Sequence, residues 1–142
     1  IIMNFIQSIS TCMRKYVTFS GRATRSEFWW FYLFTVLVNL VATSQASSFV
    51  PALLDGQDMT ENESSYFLNN FFFLYLSTIT SLILLLPSLA VAARRLHDVG
   101  RSGWWILIAF TVIGIIPLLI WYVTDTKDEE NVYGPNPKTK DN

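Results

Sequence analysis

Three uncharged stretches set the layout of the chain. Residues 28–54, 64–93 and 102–124 contain no Asp, Glu, Lys or Arg. A bilayer core of ~30 Å takes about 20 apolar residues as helix, and each stretch reaches that length. A long helix on a water-soluble domain keeps a charged face, and these stretches have none to offer. The pattern predicts an all-α integral membrane bundle of three transmembrane helices with an amphipathic N-terminal helix, forming a single membrane domain over 1–142. Its expected parts are an amphipathic segment over 4–18, a first span over 25–46 and an acidic outer loop over 47–65. A second span over 66–93, a basic inner hinge over 94–103, a third span over 104–123 and a polar tail over 124–142 complete it.

Local signals refine the boundaries. Phe5, Ile9, Cys12 and Tyr16 recur at helical spacing beside Arg14 and Lys15. They describe either a short helix lying on a membrane surface or a frayed terminus. Phe19-Ser20-Gly21-Arg22 reads as a turn, and Thr24-Arg25-Ser26-Glu27 as a capping box opening the first span. Trp29 and Trp30 sit one turn in, where interfacial aromatics belong. Thr35, Asn39 and Thr43 share a face. With no ionisable group beside them, they fit helix–helix packing better than a polar conduit.

The loop that follows has a turn signal at Asp55-Gly56 and a glycosylation-type triplet at Asn62-Glu63-Ser64. Its acids, Asp55, Asp58, Glu61 and Glu63, match no compact calcium loop and read as a solvated surface. In the second span Ser77, Ser81 and Ser88 suit close packing, and Pro87 should kink the helix. Gly100 is placed to end that helix as its C′ residue, and Ser102 to cap the next. Trp104 and Trp105 repeat the earlier aromatic pair, with Trp121 and Tyr122 expected as the opposite belt. Gly114 and Pro117 should bend the third span. Should they turn it into a re-entrant hairpin, the tail would return to the inner side. Pro and Gly in Tyr133-Gly134-Pro135-Asn136-Pro137 argue against regular structure, so an exposed, partly ordered tail is expected.

Composition narrows the chemistry. The 142 residues are 51% apolar and 15% charged, against about a quarter charged in soluble domains. Apolar residues precede the first basic ones, which does not fit a secretory signal, and Met3 is a candidate natural start after Ile1 and Ile2. One cysteine, Cys12, excludes an intrachain disulfide. With His97 as the only histidine, no zinc site is expected. No phosphate loop, dinucleotide fingerprint or nucleophile elbow is present, so no cofactor is expected. Nucleic acid is not an expected partner, since no known binding module occurs.

Candidate chemistry therefore concentrates in Ala93-Arg94-Arg95-Leu96-His97-Asp98-Val99-Gly100-Arg101, the polar hinge between two apolar runs. On a helix Arg94, His97, Asp98 and Arg101 share one side. His97 beside Asp98 could carry a proton while the arginines grip a phosphate. The same arginines at an inner membrane boundary would instead hold lipid phosphates and set orientation. Arg14, Lys15, Arg22, Arg25 and the hinge arginines should face the cytoplasm, and the acidic loop the outside.

Three motifs together carry a resemblance. Phe19-x-Gly21-Arg22-x-x-Arg25-x-Glu27-Phe28-Trp29, then Ala93-Arg94-Arg95-Leu96-His97-Asp98 with Ser102-Gly103-Trp104-Trp105, then Tyr133-Gly134-Pro135-Asn136-Pro137 resemble the bacterial inner-membrane family known as domain of unknown function 805. The likeness runs from about Asn4 to Pro137. It implies a small multi-pass protein of the bacterial inner (cytoplasmic) membrane and brings no catalytic residue. The acidic loop is longer than that family's pattern, and the segment before Tyr133 is acidic where the pattern has glycine.

The reading that results is a non-enzymatic scaffold or adaptor. Its expected binding cluster is Arg22, Arg25, Glu27, Arg94, Arg95, His97, Asp98 and Arg101. Its expected partners are anionic membrane lipids, with a protein partner or a second copy of the chain as further candidates. An oligomeric transporter or channel is the alternative, and a lipid-head-group enzyme using His97 and Asp98 the second. One contact follows from antiparallel packing of the first two spans. Glu27 lies at the depth of Arg94 and Arg95 and should pair with one of them.

Overall fold

The computed structural model describes residues 2–44, 61–126 and 129–138, the side chains of 61–67 and 70 excepted. It is mostly helical. Helix α1 spans Phe5–Arg14, α2 Arg25–Ser44 and α3 Glu61–Asp98. A 3-10 segment over Gly103–Phe110 leads to α4, Ile115–Val123, and the strands β1, Glu130–Asn131, and β2, Gly134–Pro135, pair antiparallel. Two segments are long and apolar enough to cross a membrane, Arg25–Ser44 and Phe71–Asp98. Asp55 and Asp58 of the acidic loop lie outside the described residues. Glu61 and Glu63 fall on the first turn of α3, whose backbone is helical five residues before the expected start.

The chain forms two compact units, Ile1–Phe34 with Leu85–Asn142, and Thr35–Leu84. In the smaller unit the polar residues of the first span are tied locally. Asn39 Nδ2 donates to the Thr35 carbonyl at 2.8 Å, Thr43 Oγ1 to the Asn39 carbonyl at 2.8 Å, and Ser81 Oγ to Asn39 Oδ1 at 2.6 Å. This is the packing role of such residues, in which hydroxyls return to the preceding turn or join two helices.

The larger unit is built on helix ends. Asn4 caps α1 in a closed capping box with Gln7. Thr24 Oγ1 accepts from the Glu27 N–H at 3.1 Å and opens α2. Helix α3 runs through Pro87 and ends on Gly100, at φ +71°. The Arg101 N–H bonds to the Leu96 carbonyl and the Gly100 N–H to that of His97. These two bonds make the Schellman end that glycine at C′ permits. Ser102 then accepts from the Trp104 N–H at 3.4 Å, at the start of the 3-10 segment. The core around these ends includes Cys12, Ala23, Phe28, Phe31, Ala90, Val91, Leu96 and Leu118.

The third apolar stretch departs from expectation. A continuous span over 104–123 is not present. The stretch breaks between Phe110 and Ile115. Eight residues of 3-10 helix reach about 16 Å and nine of α-helix about 14 Å, each roughly half of a bilayer core. The two pieces double back. Trp105 and Trp121 meet edge to face with centroids 5.5 Å apart, and the Arg101 guanidinium lies 5.1 Å from the Trp121 ring centroid. Trp121 and Tyr122 therefore do not form an opposite belt. The exposed tip holds Phe110, Val112 and Ile113. The break lies at Thr111 to Gly114: Thr111 Oγ1 takes the Gly114 N–H at 3.1 Å, and Gly114 is packed too tightly against Ile108 for any side chain.

The tail departs as well. Glu129, Glu130, Val132 and Pro135 are exposed as expected, but the segment has regular structure, closing a small hairpin against the hinge. Asn131 Oδ1 accepts from the Tyr133 N–H at 2.9 Å, Gly134 takes φ +123°, and Pro135 occupies an edge position. Proline is tolerated there because the strand edge needs no N–H.

Candidate functional site

The three sequence motifs converge in the larger unit as one polar cluster. The turn before α2 lies against the end of α3, where the Ala23 N–H donates to the Arg94 carbonyl at 3.0 Å. From this junction three ion pairs run inward, two of them sharing Asp98. Arg94 Nη1 bonds to Glu27 Oε1 at 2.6 Å, the contact expected from the sequence. Arg22 Nε bonds to Asp98 Oδ1 at 2.9 Å, and Arg95 Nη1 takes the other oxygen of the same carboxylate.

Burial separates these groups from ordinary surface charges. Arg94 is 1% exposed, Arg95 0%, Glu27 2% and Asp98 1%. Charges so placed must be paired, since a lone buried ion is strongly disfavoured. Backbone carbonyls complete the pairing. Arg95 donates from Nε to the Tyr122 carbonyl at 3.2 Å and from Nη2 to that of Thr124. Arg22 Nη1 reaches the Gly134 carbonyl at 3.1 Å, and Thr126 Oγ1 bonds to Asp98 Oδ2. The tail thus supplies acceptors that the hinge lacks. Arg94 is less fully served, with Nε and Nη2 buried and without an acceptor among the described residues.

Helix α1 covers the Glu27–Arg94 pair. Ser8 Oγ donates to the Ser26 carbonyl at 3.4 Å, Phe5 packs edge to face on Trp30, and the Cys12 thiol points at Glu27 Oε1 at 3.8 Å. Burial, reinforced by the Glu27 charge, pushes the Cys12 thiol up to about 12. The face turned away from this contact exposes Ile2, Ile6 and Met13 together with Arg14 and Lys15.

His97 and Asp98 are neighbours in sequence but not in chemistry. Both Asp98 oxygens serve Arg22, Arg95 and Thr126. The His97 ring turns the other way, its Nδ1–H donating to the Gly21 carbonyl at 3.2 Å, and it lies flat on Tyr133 with centroids 4.0 Å apart. Asn131 Nδ2 bonds to the His97 carbonyl at 2.9 Å.

The remaining candidates point outward. Arg25 pairs with Asp125 at 3.0 Å and donates to the Val123 carbonyl. Arg101 is exposed and rests on Trp121. Hydrogen bonding from Lys138 holds the Asp125 carboxyl below its usual range. Of the eight residues expected to form a cluster, five therefore sit in buried ion pairs, His97 stands against the tail, and Arg25 and Arg101 lie at the rim. Sequence reasoning missed Cys12, Tyr122, Thr124, Thr126 and Asn131. Most of these contribute through a backbone carbonyl or a short side chain, which carries no pattern. Tyr133 and Gly134 stood in the tail motif, but nothing in their spacing says what they cover.

Residues 16–135 match the family model described as protein of unknown function (DUF805). Inner membrane protein YhaI of Escherichia coli (strain K12) is 36% identical over 127 residues, covering 89% of this chain and 91% of that protein. Inner membrane protein YhaH of the same strain is 35% identical over 130 residues, covering 89% and 92%. No solved structure matches. With the family model covering the first two motifs and the third as far as Pro135, the chain belongs to the DUF805 family.

Proposed function

We propose that this chain is a non-enzymatic scaffold of the bacterial inner membrane, presenting a cationic cytoplasmic rim to anionic lipid head groups. Helices α2 and α3 cross the bilayer, and the hairpin 103–123 dips into it from the inner side. The N-terminus, hinge and tail then share the cytoplasmic face, as the positive-inside rule favours for Arg14, Lys15, Arg22, Arg25 and the hinge arginines. Two crossings agree with a third stretch whose two ends both meet the end of α3. The relatives' names supply the membrane.

The observation that carries this reading is the division of the arginines. Arg22, Arg94 and Arg95 are consumed internally and hold α1, the hinge and the tail together. Arg25 and Arg101 stay outward, Arg25 in an exposed pair with Asp125 and Arg101 over the Trp121 ring, a pairing of cation and aromatic suited to a head-group layer. A protein partner or a second copy would use the same rim. The enzyme reading loses support from the separation of His97 from the Asp98 carboxylate. The channel reading loses it from the local ties of Thr35, Asn39 and Thr43.

The test uses the purified full chain in nanodiscs of mixed phosphatidylglycerol and phosphatidylcholine, with retained lipid weighed by native mass spectrometry. The wild type should retain phosphatidylglycerol preferentially. Arg25→Gln with Arg101→Gln should lose that preference severalfold and still fold, because neither residue is buried. Equal retention of the two lipids by the wild type would overturn the proposal.

A further inference from the structure

A cavity of ≈ 470 Å³ opens beside His97, separate from the ion pairs. Its walls are Phe19, Leu89, Ala93, Trp104, Ile106 and Leu107, and its polar residues are His97 and Ser102. The volume lies within the roughly 300–1,000 Å³ of small-molecule sites, and an apolar wall with few polar groups is their usual character.

The histidine is held for a purpose that the ion-pair cluster does not use. A carbonyl can only accept, so the bond to Gly21 puts the proton on Nδ1 and leaves the Nε2 lone pair available in the neutral ring. The Gly21 carbonyl is presented by a backbone at φ +84°, a conformation that favours glycine. Tyr133 fixes the plane of the ring from one side. Gly103 fixes the approach from the other. A Cβ there would lie 3.0 Å from Ala93 Cβ and 3.4 Å from His97 Nε2, so only glycine brings the 3-10 segment this close. The described residues give Nε2 no hydrogen-bond donor. Ser102 Oγ accepts from the Trp104 N–H, which leaves its own hydroxyl proton to give.

We infer that this cavity binds a neutral glycerolipid with one free hydroxyl, a diacylglycerol. The hydroxyl donates to His97 Nε2, Ser102 donates to an ester carbonyl, and the acyl chains lie along Trp104 and Leu107. No wall residue carries a fixed charge, which disfavours a charged head group. The mouth is lined by exposed Trp104, Leu107 and Phe19, so the ligand enters from hydrocarbon. That route rests on the membrane reading above; the hydrogen-bond chemistry does not.

The experiment uses the full chain purified in detergent and a photoactivatable diazirine analogue of dioctanoylglycerol, with labelled residues mapped by mass spectrometry. Labelling should fall at 103–107, Phe19 or Leu89. Unlabelled dioctanoylglycerol should compete. Its O-methyl ether should compete roughly tenfold less well, the loss expected for a hydroxyl hydrogen bond to a half-buried partner. Farnesol, an alcohol without an ester, should also compete less well. His97→Leu should reduce labelling by a similar factor. In case that variant fails to fold, Leu89→Trp fills the cavity and leaves His97 in place, and it should abolish labelling with thermal stability unchanged. Labelling spread evenly over all apolar surfaces, or equal competition by the ether or by farnesol, overturns the inference. Carbonate extraction of the native membranes reports on the membrane reading separately, since binding in detergent does not depend on it.

Discussion

Glu27 and Arg94 stand 67 positions apart in the chain and 2.6 Å apart in space. Each is the other's only charged partner among the described residues, and both are almost wholly buried. Removing one charge leaves its partner uncompensated, which costs about 3–5 kcal/mol at such sites. Glu27→Gln should therefore lower the unfolding free energy, read from a detergent–SDS titration, by that amount. The charge-swapped pair, Glu27→Arg with Arg94→Glu, should recover part of it. Recovery of nothing by the pair would place the effect in the capping of α2 instead. Cys12 gives a second handle on the same spot. Its thiol is raised above the ordinary value near 9, so the proton stays on in the folded state. The stability this provides is complete below pH 9 and is lost as pH rises toward 12. At about pH 8 maleimide should label Cys12 slowly in the folded chain and fast in SDS, because the thiolate is the reacting form. Fast labelling in the folded chain would mean that α1 does not stay docked.

Among elements, the hairpin 103–123 and the tail decide the architecture. Asp98 joins Arg22, Arg95 and Thr126, so its loss frees more partners than the loss of either arginine. Asp98→Asn should expose the segment 129–138 to protease more than Arg22→Ala does. Equal rates would show that the tail is held by the stack on His97 alone. Much at this scale was legible in the sequence. Thr24, Gly100 and Ser102 are stop and start signals whose chemistry acts within a few residues, and each sits where its pattern puts it, although the Glu27 carboxylate of the expected capping box goes to Arg94 instead. The third stretch reads first as a span, with the hairpin as the alternative that Gly114 and Pro117 allow, and the break falls at Gly114. Hydropathy counts apolar residues and does not weigh Thr111 and Gly114, where a hydroxyl and the absence of a side chain turn the backbone. The tail failed for a different reason. What orders Tyr133 is a flat ring contact with His97, a tertiary fact without local pattern.

For the whole molecule, the placement of the chain ends is the sharpest test. The tail meets the turn before α2 through Arg22 and Gly134, and α1 meets the start of α2 through Ser8 and Ser26. Compartment reporters fused before Asn4 and after Lys138 should therefore report the same side, and one fused after Asp58 the other. Three full crossings would put the two ends on opposite sides. The rim adds an ionic-strength dependence. Interactions of exposed Arg25 and Arg101 with a charged surface are screened over a Debye length of about 8–10 Å, whereas the buried pairs are not. Added salt should weaken the lipid preference and leave the unfolding midpoint nearly unchanged.

The bonds between Arg95 and the carbonyls of Tyr122 and Thr124 also impose an order on synthesis. The ribosome makes Arg95 and Asp98 well before Thr124 and Thr126, their partners 29 and 28 positions later. During that interval Arg94 and Asp98 have the partners Glu27 and Arg22 already made, whereas Arg95 still lacks its two carbonyls and Asp98 its hydroxyl donor. Full pairing of the hinge thus requires that translation has passed Thr126. A nascent chain stopped at Phe110 should insert α2 and α3 normally and yet be cleared by membrane proteases much faster than the complete chain, a difference that a pulse–chase comparison of the two would measure.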